Sequence, residues 1–278
     1  MPLFSTVSFV TNIAKGYALS DALRIATECG LSHVEIASIA GMCEHIRPDE
    51  ITPDFIGSLA AELRRNGLTA YAFAGHVDLT LDEGLAAFLI KMDLAAGIGC
   101  EVINTNAGAA ERMGAFRQNI KKVIDKAERL GLTVCLESHG DIVGAAKDAA
   151  PLFKEIGHPL ICFNYDTGNT YYYAKGKISI EDDILYALEY LAYVHIKDIS
   201  VGNGRAQYRP IGRGDLNFPK IFAALGQIGR AINCGLEIPV FVAGTLESLS
   251  SAAAPIGEDE IRGAISSSLE YMKSVGVI

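Results

Sequence analysis

Residues 129–141, RLGLTVCLESHGD, hold a complete helix-to-strand junction. Gly131 stands where a helix C-cap turns toward a strand, TVCLES at 133–138 is a short apolar run rich in strand formers, and Glu137 ends that run with a charge. The junction recurs on both sides, with ECGL at 28–31, RNGL at 65–68 and AGIG at 96–99 each placing Gly at a helix end. Strand-like runs fall at 3–10, 33–37, 69–75, 101–106, 133–138, 160–165, 193–198 and 234–238, and the clearest amphipathic helical patterns at 17–29, 54–66, 111–130 and 258–275. Strands alternating with helices predict βα units and a parallel sheet. No Pro- or Ser-rich linker divides residues 1–278, so they read as one domain, and eight such units in one domain predict a single α/β fold, the (β/α)8 barrel. In that architecture functional residues sit at the C-terminal ends of the strands.

The composition agrees. Of 278 residues, 50% are hydrophobic and 21% charged, which supplies a large core and excludes a disordered chain. A net charge of −9 has the wrong sign for neutralising a phosphate backbone, so nucleic-acid binding is not expected. No uninterrupted apolar run reaches the length of a membrane span. Six cysteines without a C-x-x-C pair, and a start, MPLFSTVSFVTNIAKG, lacking a basic segment before a long apolar stretch, predict reduced thiols in a cytoplasmic protein.

Barrel strands should be mostly apolar, so an ionisable residue at a strand end needs a partner. Four stand out: Glu137 in CLESHGD, Asp166 in FNYDTGNT, His195 in YVHIKD and Glu237 in GLEIP. They are 29, 29 and 42 residues apart, one βα unit per step with a longer excursion before the last. Three carboxylates converging at one mouth repel strongly unless a cation lies between them. Three oxygen donors and one nitrogen suit Mn2+, Mg2+, Co2+ or Zn2+ and not a thiolate-seeking metal.

With these residues in place the chain resembles the xylose isomerase-like TIM barrels. That superfamily of sugar phosphate isomerases and epimerases also contains ketose 3-epimerases, inosose dehydratase, 3-dehydroshikimate dehydratase and DNA-repair enzymes of the endonuclease IV type. The likeness spans the barrel and is densest from 131 to 240. It is carried by LESHG at 136–140, DTGN at 166–169, VHIKD at 194–198, PIGRGDLNF at 210–218 and LEIP at 236–239. It implies one divalent metal, Mn2+ first, held by Glu137, Asp166, His195 and Glu237, with Glu137 and Glu237 also serving as an acid/base pair. Strands five and eight lie three steps apart around the ring, which sets these two glutamates on opposite flanks of the metal. The implied reaction is interconversion of a ketose-type sugar or sugar phosphate through a cis-enediolate.

Many relatives have histidine at the fourth position of D-T-G-H, where this chain has Asn169, read here as a substrate contact. His139, two residues beyond Glu137, resembles a general base of the dehydratase members and counts with the two glutamates as catalytic. Glu35 lies where relatives place a substrate-binding glutamate, with a buried ion pair as its other reading, and His76 and Asn106 point to the same mouth; Lys197 shares the inward face of His195 and reads first as pairing with Asp166 or Glu237, second as a substrate contact. Asn104 and Asn106 offer neutral hydrogen bonds to hydroxyls or turn chemistry. Arg205, Arg209 and Arg213 lie in a glycine-containing stretch from 199 to 218 that reads first as a solvated loop, with the flexibility and charge to close over an anionic or phosphorylated substrate through Arg205 and Arg209 as the functional reading. Tyr171, Tyr172 and Tyr173 wall a sugar pocket or form a subunit contact.

Three further readings share the fold. A nuclease would need additional histidines near the positions of Asn106 and Asn169 and a basic surface, all absent here. A dehydratase of the inosose or 3-dehydroshikimate type, or a non-catalytic sugar-binding barrel, uses the same metal site. The expected partner is a small sugar or polyol-derived molecule, and the resemblance allows a homodimer or homotetramer.

Overall fold

The computed structural model describes residues 2–252 and 254–278; Met1 and Ala253 lie outside it. In chain order the elements are β1 (Phe4–Val10), α1 (Leu19–Glu28), β2 (His33–Ile39), β3 (Cys43–Glu44), α2 (Pro53–Arg65), β4 (Thr69–Asp78), α3 (Asp82–Gly97), β5 (Val102–Asn106), α4 (Met113–Leu130), β6 (Thr133–Glu137), α5 (Ala146–Ile156), β7 (Ile161–Asp166), α6 (Thr167–Tyr173), α7 (Ile180–Asp183), β8 (Leu191–Ile196), β9 (Asp198–Gly202), β10 (Arg205–Arg209), α8 (Phe218–Gly226), β11 (Ile232–Leu236), β12 (Val242–Thr245), β13 (Leu249–Ser251) and α9 (Glu258–Ser274). The parallel strands run β1-β11-β8-β7-β6-β5-β4-β2, and pairing of β1 with β2 closes the ring. The fold is a (β/α)8 barrel.

Period-two alternation divides each strand between two cores. Ile103, Val134, Leu136 and Val194 belong to the large cluster between sheet and helices, with Leu23, Leu63, Phe88 and Ile265 of the surrounding helices. Their neighbours Val102, Cys135 and Tyr193 form a separate cluster with Ala72. The apolar stripes of the helices cover only the first set. Higher along the same strands, every second residue is polar: Glu35, Asn104, Glu137, Asn164 and His195, all buried. The left-handed glycines are where the helix-end reading puts them, as at Gly131, φ 65°, the C-cap of α4.

The stretch 199–218 is a correction to the sequence reading. It is not a mobile loop: β9 and β10 form an antiparallel hairpin across Asn203 and Gly204, whose φ of 51° and 73° are the left-handed values a two-residue hairpin turn requires. Paired β12 and β13 extend it into one four-stranded antiparallel sheet beside the barrel mouth. A small core of Tyr172, Ile199, Ala206, Tyr208, Phe241 and Val242 lies beneath. The segment after the hairpin is tied down by Asp198, whose carboxylate accepts from the amides of Gly214 (2.7 Å), Ile199 (2.9 Å), Gly212 (3.0 Å) and Leu216 (3.4 Å).

Asp198→Ala strips four amides of their acceptor and is expected to cost about 3 kcal/mol. Urea unfolding checks this, and a change below ~0.5 kcal/mol would show that the loop is held by packing instead.

Candidate metal centre

Register brings the polar residues together. Glu137 pairs with Asn164 across β6 and β7, Asp166 with His195 across β7 and β8, and His195 with Gly235 across β8 and β11. Each is at or near a strand's C-terminal end, so the side chains meet in one layer.

Glu137, Asp166, His195 and Glu237 each offer a ligand atom, and these atoms lie within 4.8 Å of one another. His195 Nδ1 faces Glu237 Oε2 at 3.0 Å, Glu137 Oε2 at 3.1 Å and Asp166 Oδ2 at 3.7 Å. Donors about 2.2 Å from one ion are at most about 4.4 Å apart, so the tetrad could hold a cation after shifts of tenths of an ångström. Glu237 Oε2 is buried and accepts no hydrogen bond, a costly state that a cation relieves. The set of three carboxylates and one imidazole, without sulfur, suits hard to borderline divalent ions. On geometry, charge and donor chemistry the residues fit such a metal.

A second ring of residues orients these four. His195 Nε2 donates to Glu35, 3.0 and 3.1 Å from its two oxygens, which leaves Nδ1 turned to the tetrad. Glu35 also accepts from Asn104 Nδ2 at 2.7 Å. Gly235 makes room for this pair, because a Cβ there would lie 2.7 Å from Glu35 Oε2 and 2.8 Å from His195 Cδ2. Glu137 accepts from His76 Nε2 at 2.7 Å, Asn169 Nδ2 at 2.9 Å and Asn164 Nδ2 at 3.2 Å. Glu237 Oε1 accepts from Asn12 Nδ2 at 2.7 Å and faces Lys197 Nζ at 3.0 Å. Lys197 Nζ is also 3.2 Å from Asp166 Oδ2, so it pairs with both carboxylates.

The D-T-G-N run has a local logic. Asp166 caps α6, its Oδ1 accepting from the Asn169 amide at 2.8 Å, which leaves Oδ2 for the centre. Thr167 Oγ1 donates to the Lys197 carbonyl at 2.7 Å and accepts from the Lys197 amide at 3.0 Å. Gly168 admits Lys197, whose Cγ would otherwise lie 2.9 Å from a Cβ.

The electrostatics follow from this crowding. Burial by itself lowers the His195 imidazole, but Glu35, Glu137 and Glu237 around it raise its pKa well above the ordinary value. Burial raises Glu137 and Glu237; His76 and His195 hold the first, and Lys197 and His195 the second, below the usual carboxylate range. Asp166 is pushed up to about 6, burial outweighing Lys197.

A cavity of about 440 Å3 opens over the tetrad, with Glu137, Glu237, Lys197, His76, Asn106, Asn169 and His139 in its wall. Tyr172, Tyr173, Ile39, Met42, Val242 and Leu249 form its apolar side. His139 is at the rim, its ring nitrogens 3.1 and 3.4 Å from the Tyr173 hydroxyl. Three sequence expectations are corrected. Arg205 and Arg209 do not line this cavity: in the alternation of R-A-Q-Y-R, buried Ala206 and Tyr208 take one face of β10, and Arg209 lines an outer groove with Val240 and Glu260. Arg213 is outside the wall as well. Glu35 and Asn104 are fully buried beneath His195 and reach each other, not the cavity. Sequence reasoning passed over Asn164, Tyr208, Gly235 and Asn12. Strand alternation marks the first two, Asn164 two residues before Asp166 and Tyr208 between arginines, and a glycine inside a strand marks the third. Asn12, just past β1, carries no signal.

The family model of the xylose isomerase-like TIM barrel matches residues 23–267. Among solved structures, a xylose isomerase-like TIM barrel protein from Mycobacterium smegmatis in complex with magnesium superposes with a TM-score of 0.74 at 16% identity, over 98% of this chain and 96% of that one. D-allulose 3-epimerase from Methylomonas sp. in complex with D-allulose gives 0.72 at 17%, over 99% and 98%. A probable 3-DHS dehydratase from Bacillus anthracis gives 0.71 at 14%, over 96% and 98%. At these identities the superpositions establish the shared fold. No curated protein sequence matches the chain. No helix among the described residues is long and apolar enough to cross a membrane. The match over 23–267 and the closed eight-stranded ring establish that the chain belongs to the family of xylose isomerase-like TIM barrels.

Proposed function

We propose that this chain is a divalent-metal-dependent isomerase or epimerase of a ketose-type sugar. The observation that carries the reading is the placement of Glu137 and Glu237. They come from strands three steps apart in the ring, line one cavity, and approach His195 Nδ1 at 3.1 and 3.0 Å. Glu137, Asp166, His195 and Glu237 would hold the metal, with Mn2+ first and Mg2+, Co2+ or Zn2+ as alternatives. A bound divalent cation supplies Lewis-acid polarisation of a carbonyl and charge compensation for an enediolate.

The remaining work falls to side chains. One glutamate takes the proton from the carbon beside the carbonyl, and the other returns a proton on the opposite face, which inverts that carbon. Taking the proton instead from the terminal carbon beside the carbonyl and returning it to the former carbonyl carbon, while the hydroxyl proton passes between the two oxygens, isomerises ketose to aldose. Glu237, with one oxygen that accepts no hydrogen bond, is the less constrained of the two carboxylates. Glu137, saturated by His76, Asn164 and Asn169, is held in a fixed orientation. Asn106, His76 and Lys197 provide polar contacts for hydroxyls, and the tyrosines provide faces for the apolar side of a sugar ring. The D-allulose 3-epimerase neighbour is consistent with this chemistry.

A metal-dependent dehydratase of an inosose or 3-dehydroshikimate type is the second reading. His139 favours it, being an imidazole at the cavity rim in contact with a tyrosine hydroxyl, placed to serve a departing hydroxyl group.

Mn2+ or Co2+ at one hundred times its Kd should stabilise the chain by about 2.7 kcal/mol and raise Tm by several degrees. His195→Ala should abolish the rise. A calorimetric scan showing no shift in the wild type would sink the metal centre.

Proton NMR of the metal-loaded chain in D2O with a panel of ketoses, ketose phosphates and inososes tests the chemistry. Deuterium should enter a carbon beside the carbonyl without loss of water, about 10²–10⁴-fold more slowly in Glu237→Gln. Unchanged exchange in that variant would remove Glu237 from the acid/base pair, whereas loss of water would move the assignment to the dehydratase.

A further inference from the structure

Tyr208 belongs to no barrel strand, yet it connects with both sides of the carboxylate cluster. It is buried on β10, where its hydroxyl donates to Asn169 Oδ1 at 2.7 Å, and Asn169 Nδ2 donates in turn to Glu137 Oε1 at 2.9 Å. Its ring centroid is 4.6 Å from Lys197 Nζ, the ammonium that joins Asp166 and Glu237. One side chain thus reaches Glu137 through an amide, and Asp166 and Glu237 through a cation.

The asparagines single out the first connection. Asn12, Asn104, Asn164 and Asn169 each give an amide N–H to a buried glutamate. Of the four, Asn169 is the one whose Oδ1 has a protein donor, and that donor is Tyr208. Charge fixes the direction of the chain of hydrogen bonds. An ionised Glu137 can only accept, so Asn169 turns Nδ2 toward it, and Oδ1, facing away, needs a donor. The tyrosine hydroxyl meets that need while its ring keeps the Lys197 ammonium beside the opposite carboxylates.

We propose that Tyr208 is a positioning residue that fixes Glu137 relative to Glu237 and thereby tightens the tetrad's hold on its cation. The inference rests on reading the tetrad as a metal centre. On this reading the β9–β10 hairpin of the antiparallel sheet delivers a hydroxyl and an aromatic face to the barrel mouth from outside the barrel.

The test uses the full chain and Co2+ as probe, reading Kd by calorimetry and the visible absorption of the bound ion. Wild type, Tyr208→Phe, Asn169→Ala and the double variant form a cycle. Tyr208→Phe keeps the ring over Lys197 and removes only the donor. It should weaken Co2+ binding about tenfold, within the range found for partners that orient metal ligands, and change the absorption bands. Because Tyr208 acts on Glu137 through Asn169, the double variant should bind no more weakly than Asn169→Ala alone. A role in packing alone would lower Tm yet leave the absorption bands and this coupling unmoved. Co2+ binding by the wild type that Tyr208→Phe leaves unchanged, or effects that simply add, would overturn this inference alone. No Co2+ binding by the wild type would overturn the metal-centre reading, and this inference with it.

Discussion

Four carboxylates, Glu35, Glu137, Asp166 and Glu237, are buried together at one end of the barrel, and their mutual repulsion governs what surrounds them. Like charges a few ångström apart in a site closed to water oppose folding unless each finds a counter-charge or a donor. The structure provides a graded answer. Lys197 joins Asp166 to Glu237, His195 stands among all four, and Asn12, Asn104, Asn164, Asn169 and His76 supply further donors. One lysine and one histidine do not offset four carboxylates, which is the physical reason the cluster suits a divalent cation.

This constraint also explains why the barrel interior departs from an apolar filling. Ala72, Val102, Cys135 and Tyr193 close the lower interior, while the layer above consists of the donors that the carboxylates need. Glycine serves the same end. Gly235 and Gly168 sit where any Cβ would displace the Glu35–His195 pair or Lys197, so the cluster's compactness depends on two missing side chains. Beside the mouth, the four-stranded antiparallel sheet gives the loops after β8 and β11 a common framework, and the cavity takes both a polar and an apolar wall from these elements.

Much of the fold was legible in the sequence because its signals are local. Glycines at helix ends, short strand runs and amphipathic helices each depend on a few adjacent residues, and the eight barrel strands lie within a few positions of where those signals place them. Glu137, Asp166, His195 and Glu237 could be singled out because each charge stands at the end of an apolar strand, where burial demands a partner. The hairpin was not legible as such. Arg205, Arg209 and Arg213 drew attention as charges among glycines, whereas the informative pattern was the alternation that buries Ala206 and Tyr208.

The sequence by itself determined the order of βα units, and with it a ring in which residues about one unit apart meet at neighbouring strand ends. That follows from periodicity and from the fixed hand and short reach of βα connections. Only the tertiary structure decided which partner each polar group takes. Glu35 turned from an expected substrate contact into the residue orienting His195, Lys197 took both of the carboxylates the sequence offered it instead of one, and Tyr208 became a donor reaching Glu137 through Asn169. Those pairings span 31 to 160 residues, and hydrogen-bond geometry over such distances is set by strand register and clearance, which no local pattern of residues encodes.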